Sequence, residues 1–215
     1  MIAKHSARFI LIMLGITLVS CSEREPKLPF FNSADFTPVW IEKSDSNYAS
    51  IHTIPAFTFV DQEGDTVTEK ILQGKITVAD FFFTICPGIC PRLTKSMGTV
   101  QAAFTGDSTI VLLSHSVTPD IDSIARLKEY ALSHQVQSRQ WHLLTGNRKE
   151  IYTIARQGYF ADEETGLKKG PDEFLHTENF ILVDKQRRIR GVYNGTNPTE
   201  VDRLIDDIKI LQHEI

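Results

Sequence analysis

The chain has little cysteine: Cys21, Cys86 and Cys90 are the only three in 215 residues. That excludes a disulfide scaffold, and a chain of this length can bury a core without one, so each cysteine needs its own explanation. Tryptophan and methionine are scarce as well, at two and three residues. No apolar run reaches the roughly 20 residues that a membrane-spanning helix needs. Cationic excess is missing, with 23 Lys and Arg against 27 Asp and Glu and a formal charge of −4. Nucleic acid is therefore not an expected partner. No internal repeat and no low-complexity tract interrupts the sequence. What remains is a globular composition sufficient for one ordinary domain plus a tail.

The tail comes first. Lys4 and Arg8 precede an apolar run, Phe9 to Val19, which has the length of a signal-peptide core. The run closes on Leu18-Val19-Ser20-Cys21, which resembles the bacterial lipobox, whose Cys becomes the lipidated N-terminus after cleavage. An ordinary secretory signal with a chance Cys is the alternative. The position of Cys21, directly at the end of the apolar run, favours lipidation. Residues 1–20 are thus expected to be a lipoprotein signal peptide and 21–50 a polar tether that packs locally through Trp40. The folded domain is expected over 51–215. Such a protein sits outside the cytoplasm, on the periplasmic side, held to the membrane by a lipid anchor.

Within the domain, Ala56–Val60 and Thr66–Val67 flank Asp61-Gln-Glu-Gly64-Asp65, a hairpin signal. An apolar strand follows from Val78 to Phe83. Leu93, Met97, Val100 and Phe104 then recur at helical spacing. Thr109–Ser116 reads as a strand, Thr118 to about His134 as a helix, Trp141–Leu144 as a strand and Lys149 to about Arg156 as a helix. After a charged excursion, Gly158–Gly170, two strands (Asn179–Val183, Ile189–Tyr193) join through Asp184–Arg187, and Pro198–His213 closes as an amphipathic helix. Strands alternating with helices, and a terminal hairpin, predict an α/β fold: a mixed central sheet with helices on both faces.

The chemistry concentrates at Cys86-Pro-Gly-Ile-Cys90-Pro91, where the Val78 strand hands over to a helix. Open α/β sheets place their sites at such carboxyl ends. If the connecting turn is helical, thiols four residues apart face the same way. A helix N-terminus lowers thiol pKa values. Such a pair can cycle between dithiol and disulfide, or hold a soft metal ion as two thiolates. A small structural disulfide is the bland alternative, and a loop that short gains little from closure. Asp80 reads as a buried, hydrogen-bonded strand residue; a proton acceptor for a cysteine is the alternative. His52, His115, His134, His142 and His213 read as structural or solvated, although His115 lies near a strand end and could approach the site.

The stretch Val78-Ala-Asp80-Phe-Phe-Phe-Thr-Ile-Cys86 resembles the thioredoxin approach to a cysteine pair. A more specific resemblance is to the SCO/SenC family of copper proteins that help to assemble cytochrome c oxidase. Its T-x-C-P-x-x-C-P motif stands here as Thr84 to Pro91, and its S-V-x-P-x-x-D as Ser116 to Asp122. Its W-x-x-L-T-G is Trp141 to Gly146, and its late His before an L-V-D strand is His176, ahead of Phe180-Ile-Leu-Val-Asp184. The match runs in the family's order from about Ile54 to Leu211. The resemblance implies a thioredoxin-like fold and a copper ion held by Cys86, Cys90 and His176. It implies as partner the copper-bearing subunit of cytochrome c oxidase. Two departures stand out: Gly88 and Leu175 replace carboxylates that the family often carries beside its ligands.

Two thiolates and one imidazole would leave an open side on the metal through which an acceptor's ligands could enter. Zinc competes for such ligands, but structural zinc usually takes four protein ligands, and only three are found here. Loading requires reduced thiols, so a thiol reductant is implied outside the cytoplasm. The alternative reading is an extracytoplasmic thiol–disulfide oxidoreductase, with Cys86 and Cys90 as its redox pair. Against it, the spacing is one residue wider than C-x-x-C, and His176 stands where redox enzymes of this fold usually carry a proline. A peroxidase reading has only a faint echo in Thr84-x-Cys86.

Overall fold

The computed structural model describes residues 27–161 and 177–214. The first pairing is β1 (Phe30–Phe31) with β2 (Pro38–Val39), antiparallel; β3 (Thr58–Val60) and β4 (Thr66–Thr68) form the expected hairpin. The central sheet contains β5 (Ile76–Phe82), β6 (Ile110–Ser116), β7 (Trp141–Leu144), β8 (Asn179–Val183) and β9 (Ile189–Asn194) in the order β7-β6-β5-β8-β9. β5, β6 and β7 run parallel, while β8 and β9 are antiparallel to their neighbours. Every residue of β5 and β6 is buried, as strands covered on both faces should be.

Each face of the sheet has its own core. On one, Val78 and Phe82 pack with Leu93, Met97 and Val100 of α1 (Cys90–Ala103), Leu127 of α2 (Ile124–Ser133), and Leu204 and Ile208 of α4 (Pro198–His213). On the other, Ala79 and Phe81 pack with Phe57 and Phe59 of the hairpin side, Ile151 and Tyr152 of α3 (Arg148–Thr153), and Tyr159. α3 runs on into a turn of π-helix, Ile154–Gly158.

Two expectations are corrected, and one open possibility closes in favour of the structural reading. The helix foreseen from Thr118 begins only at Ile124: Ser123 supplies its cap by accepting from Arg126 N at 3.4 Å, and Asp122 is engaged elsewhere. Trp40 does not pack; it is 67% exposed. The residue that ties this segment down is Phe30, buried beneath the guanidinium groups of Arg188 and Arg190, 4.8 and 4.3 Å from its ring centre. Arg190 is itself buried, donating to the Pro29 and Leu28 carbonyls and to Asp184 and Glu214. His115 does not approach the cysteines. It lies on the opposite sheet face, stacked on Phe81 at 5.1 Å among Phe57, Phe59 and Tyr159.

Gly191 shows how closely β9 is packed. A Cβ there would lie 2.2 Å from the Tyr193 hydroxyl, which donates to Asp207 at 2.7 Å. Gly191→Ala is expected to displace that ring and cost about 1–3 kcal/mol in urea unfolding; an unchanged midpoint would contradict the packing.

Candidate metal centre

The turn between β5 and α1 carries both thiols. Pro91 occupies the first turn of α1, where no amide partner is needed, and Ile89 at the cap position offers no side-chain acceptor. The sulfur of Cys86 fills that role: it accepts from Cys90 N at 3.5 Å. The residues between the thiols are not helical, contrary to the simplest reading of the spacing. The sulfurs meet because Cys86 folds back onto the helix start.

Cys86 is partly exposed and Cys90 is buried, and both are free thiols. Burial acts to raise the Cys86 pKa. Hydrogen bonds from the Cys90 thiol and from the amides of Cys90, Gly88 and Ile89 outweigh it, so the thiol lies below its ordinary value. For Cys90 burial wins, reinforced by its hydrogen bond to Cys86 and the proximity of Asp80, and its pKa is pushed up to about 12. Cys86 is thus the thiol that ionises first.

Asp80, on β5, lies fully buried, and desolvation raises its pKa to about 7 against a hydrogen bond from Ser114. Sequence reasoning identified Asp80 but missed Tyr130 and Thr94, whose hydroxyls pair at 2.7 Å. Tyr130 lies close enough to Cys90, Asp80 and Cys86 for their charges to bear on its pKa, which burial and those charges push up to about 12. The signal for Thr94 was available, since it follows Cys90 by one helical turn; Tyr130, on α2, gave none.

Cys21 and His176 lie outside the described residues. The neighbour of His176, Thr177, is buried and its hydroxyl accepts from Asn179 N at 3.1 Å as β8 begins. β8 runs antiparallel to β5 with Ala79 opposite Ile181. Continuing that register by four residues sets Thr177 level with Phe83, three residues before Cys86. The chain therefore re-enters the described structure at the thiol end of the sheet. Among the described residues no group of three His, Cys, Asp or Glu side chains could hold a metal ion.

A Cβ at Gly88 meets nothing within 4 Å and its φ is not positive, so lack of room does not explain this glycine. Gly88→Asp is expected to fold with a melting temperature within about 2 °C of the parent; a loss beyond about 5 °C would show that the turn needs glycine.

No described helix is long and apolar enough to cross a membrane. The SCO1/SenC family model matches residues 46–212. Among similar solved structures, one of BsSco, described as a member of the Sco family of cytochrome c oxidase assembly proteins with a disulfide switch, is 28% identical. It covers 77% of this chain and 96% of its own, with a TM-score of 0.63. A SCO1/SenC family lipoprotein from Bacillus anthracis is 27% identical, covering 80% of this chain and all of its own at a TM-score of 0.65. ScoI of Bradyrhizobium japonicum, solved with copper bound, is 26% identical, covering 74% and 99% at a TM-score of 0.59. The mixed sheet is accordingly the thioredoxin-like fold of those proteins, and with more than three quarters of its length matched by the family model the chain belongs to the SCO1/SenC family.

Proposed function

We propose that this protein is a membrane-anchored, extracytoplasmic copper-binding protein that delivers copper to, or prepares the copper site of, cytochrome c oxidase during assembly. Cys86, Cys90 and His176 hold the ion, and a lipid on Cys21 holds the protein. The observation that carries this reading is the free thiol pair, one sulfur accepting from three amides and the other buried behind it, at the carboxyl end of β5. Soft thiolates with one imidazole suit Cu(I). The copper-bound ScoI relative and the lipoprotein relative support the cargo and the anchor.

The chain's own groups set the order of events. Cys86 presents a thiolate first, and Cys90 releases its proton as the ion arrives, so loading is pH-dependent. Asp80 and the Tyr130–Thr94 pair back Cys90 from the interior. Lys27 enters beside Arg190, at the hairpin end of the sheet and opposite the thiols.

A second reading, a thiol–disulfide oxidoreductase with Cys86 as attacking sulfur and Cys90 as resolving sulfur, is favoured by the same split of thiol pKa values and by the disulfide switch of BsSco. Titrating Cu(I) into the reduced and the disulfide-oxidised protein separates them. The copper reading expects one tightly bound Cu(I) per chain when reduced and none when oxidised. Disulfide-reductase activity with no copper uptake in either state would leave the second reading standing alone.

A further inference from the structure

The turn that carries Cys86 has little to hold it by burial. Ile85, Pro87 and Gly88 are exposed, and Thr84, Cys86 and Ile89 are only partly buried. Cys90, by contrast, is fixed by α1 and by the core beneath it. The hydrogen bonds to the Cys86 sulfur come from within the same turn and from the start of α1, so they do not tie the turn to the rest of the fold.

Asp122 is placed to do so. Its carboxylate is fully buried, in the loop after β6, 38 residues along the chain from Thr84. The Thr84 hydroxyl donates to Oδ1 at 2.5 Å and the Thr84 amide donates to Oδ2 at 3.3 Å. The hydroxyls of Ser116 and Thr118 donate to Oδ2 at 2.5 and 3.0 Å. The loop is stiffened further by Thr118 N donating to Ser116 Oγ at 3.2 Å and Asp122 N donating to the Thr118 carbonyl at 2.9 Å. Removing such an acceptor from a buried place leaves its donors unsatisfied.

We propose that Asp122 is the positioning residue of the thiol site: through Thr84 it holds the turn so that the Cys86 sulfur stands over the start of α1 and beside Cys90, where both sulfurs can grip one ion. The inference rests on the copper reading for its ligand, and on the four donor contacts for its geometry. It assigns a purpose to the pairing of the Thr84–Pro91 and Ser116–Asp122 segments: the second is the clamp for the first.

The test uses Thr84→Val, Thr84→Ser and Asp122→Asn, with two readouts on the folded, reduced protein. One is Cu(I) affinity by competition with a chelator; the other is the rate of alkylation of Cys86 relative to Cys90 without metal. Thr84→Val and Asp122→Asn are expected to weaken Cu(I) binding at least about tenfold. They are also expected to lower the Cys86-to-Cys90 alkylation ratio at least about fivefold, as Cys86 loses the amides that favour its thiolate. Thr84→Ser, which keeps the hydroxyl, stays within about twofold of the parent on both. Parent-like affinity and alkylation ratio in Thr84→Val and Asp122→Asn, whatever their stability, would overturn the proposal. If the parent itself takes up no Cu(I), the copper reading falls, and the alkylation ratio alone decides for or against Asp122.

Discussion

Asp80→Asn is expected to make the protein lose stability on acidification over a range where the parent changes little. Two buried groups with opposed pKa shifts cause this. His115 is fully buried, neither ring nitrogen has a hydrogen-bond partner among the described residues, and desolvation lowers its pKa to about 3. The unfolded chain binds its proton near the ordinary value of 6.5. Between pH 6.5 and 3 the unfolded state therefore holds more protons, and stability falls as pH falls, by on the order of 4 kcal/mol across the window. Asp80 works in reverse. Desolvation raises its pKa to about 7, so between pH 7 and about 4 the folded state holds the extra proton and stability rises as pH falls, by a similar order. Across pH 6.5 to 4 the two nearly offset each other in the parent. Asp80→Asn leaves the His115 slope exposed, and His115→Leu leaves the Asp80 slope, with the opposite sign. Urea unfolding of metal-free, reduced protein at half-unit pH steps reads this directly. A flat profile for Asp80→Asn between pH 6.5 and 4 would show that His115 is not a neutral core residue.

The same two residues show what the sequence could and could not disclose. Asp80 is legible because it breaks an otherwise apolar strand, and a polar side chain in a strand covered on both faces has to be buried. His115 sits near a strand end, which in one dimension makes it a candidate for the site. Alternation along β6 decides the matter, and which face an individual residue takes is fixed by register: Phe81 pairs with His115, so His115 joins the Phe57–Phe59 side, away from Cys90. The sheet strands were legible from apolar runs, and α1 and α4 from apolar spacing. The start of α2 was not, because Asp122, which resembles a first-turn helix residue, is drawn into a tertiary contact with Thr84. Phe30 was not legible either, since its burial depends on two arginines that lie 158 and 160 residues further on. The thiol pair was plain in the sequence, but not the fold-back that turns Cys86 into the cap of α1.

His176→Ala is expected to produce the largest change in metal binding among side chains outside the thiol pair. In the proposed site two thiolates come from one turn, the described residues hold no group of three His, Cys, Asp or Glu side chains that could bind a metal ion, and the His176 imidazole is the proposed third ligand. Outer-shell partners of metal ligands already contribute about 10–100-fold in affinity, so loss of a direct ligand should cost more than about a hundredfold. The thiols should keep their alkylation rates in the metal-free variant, because their hydrogen bonds come from Cys90, Gly88 and Ile89. A variant that binds Cu(I) as tightly as the parent would remove His176 from the site.

X-ray absorption of the Cu(I)-loaded, reduced full chain counts the ligands without relying on any variant. Two sulfur scatterers and one imidazole nitrogen per copper are the result that a Cys86, Cys90 and His176 site requires. A shell of sulfur alone, or of nitrogen and oxygen without sulfur, would contradict it.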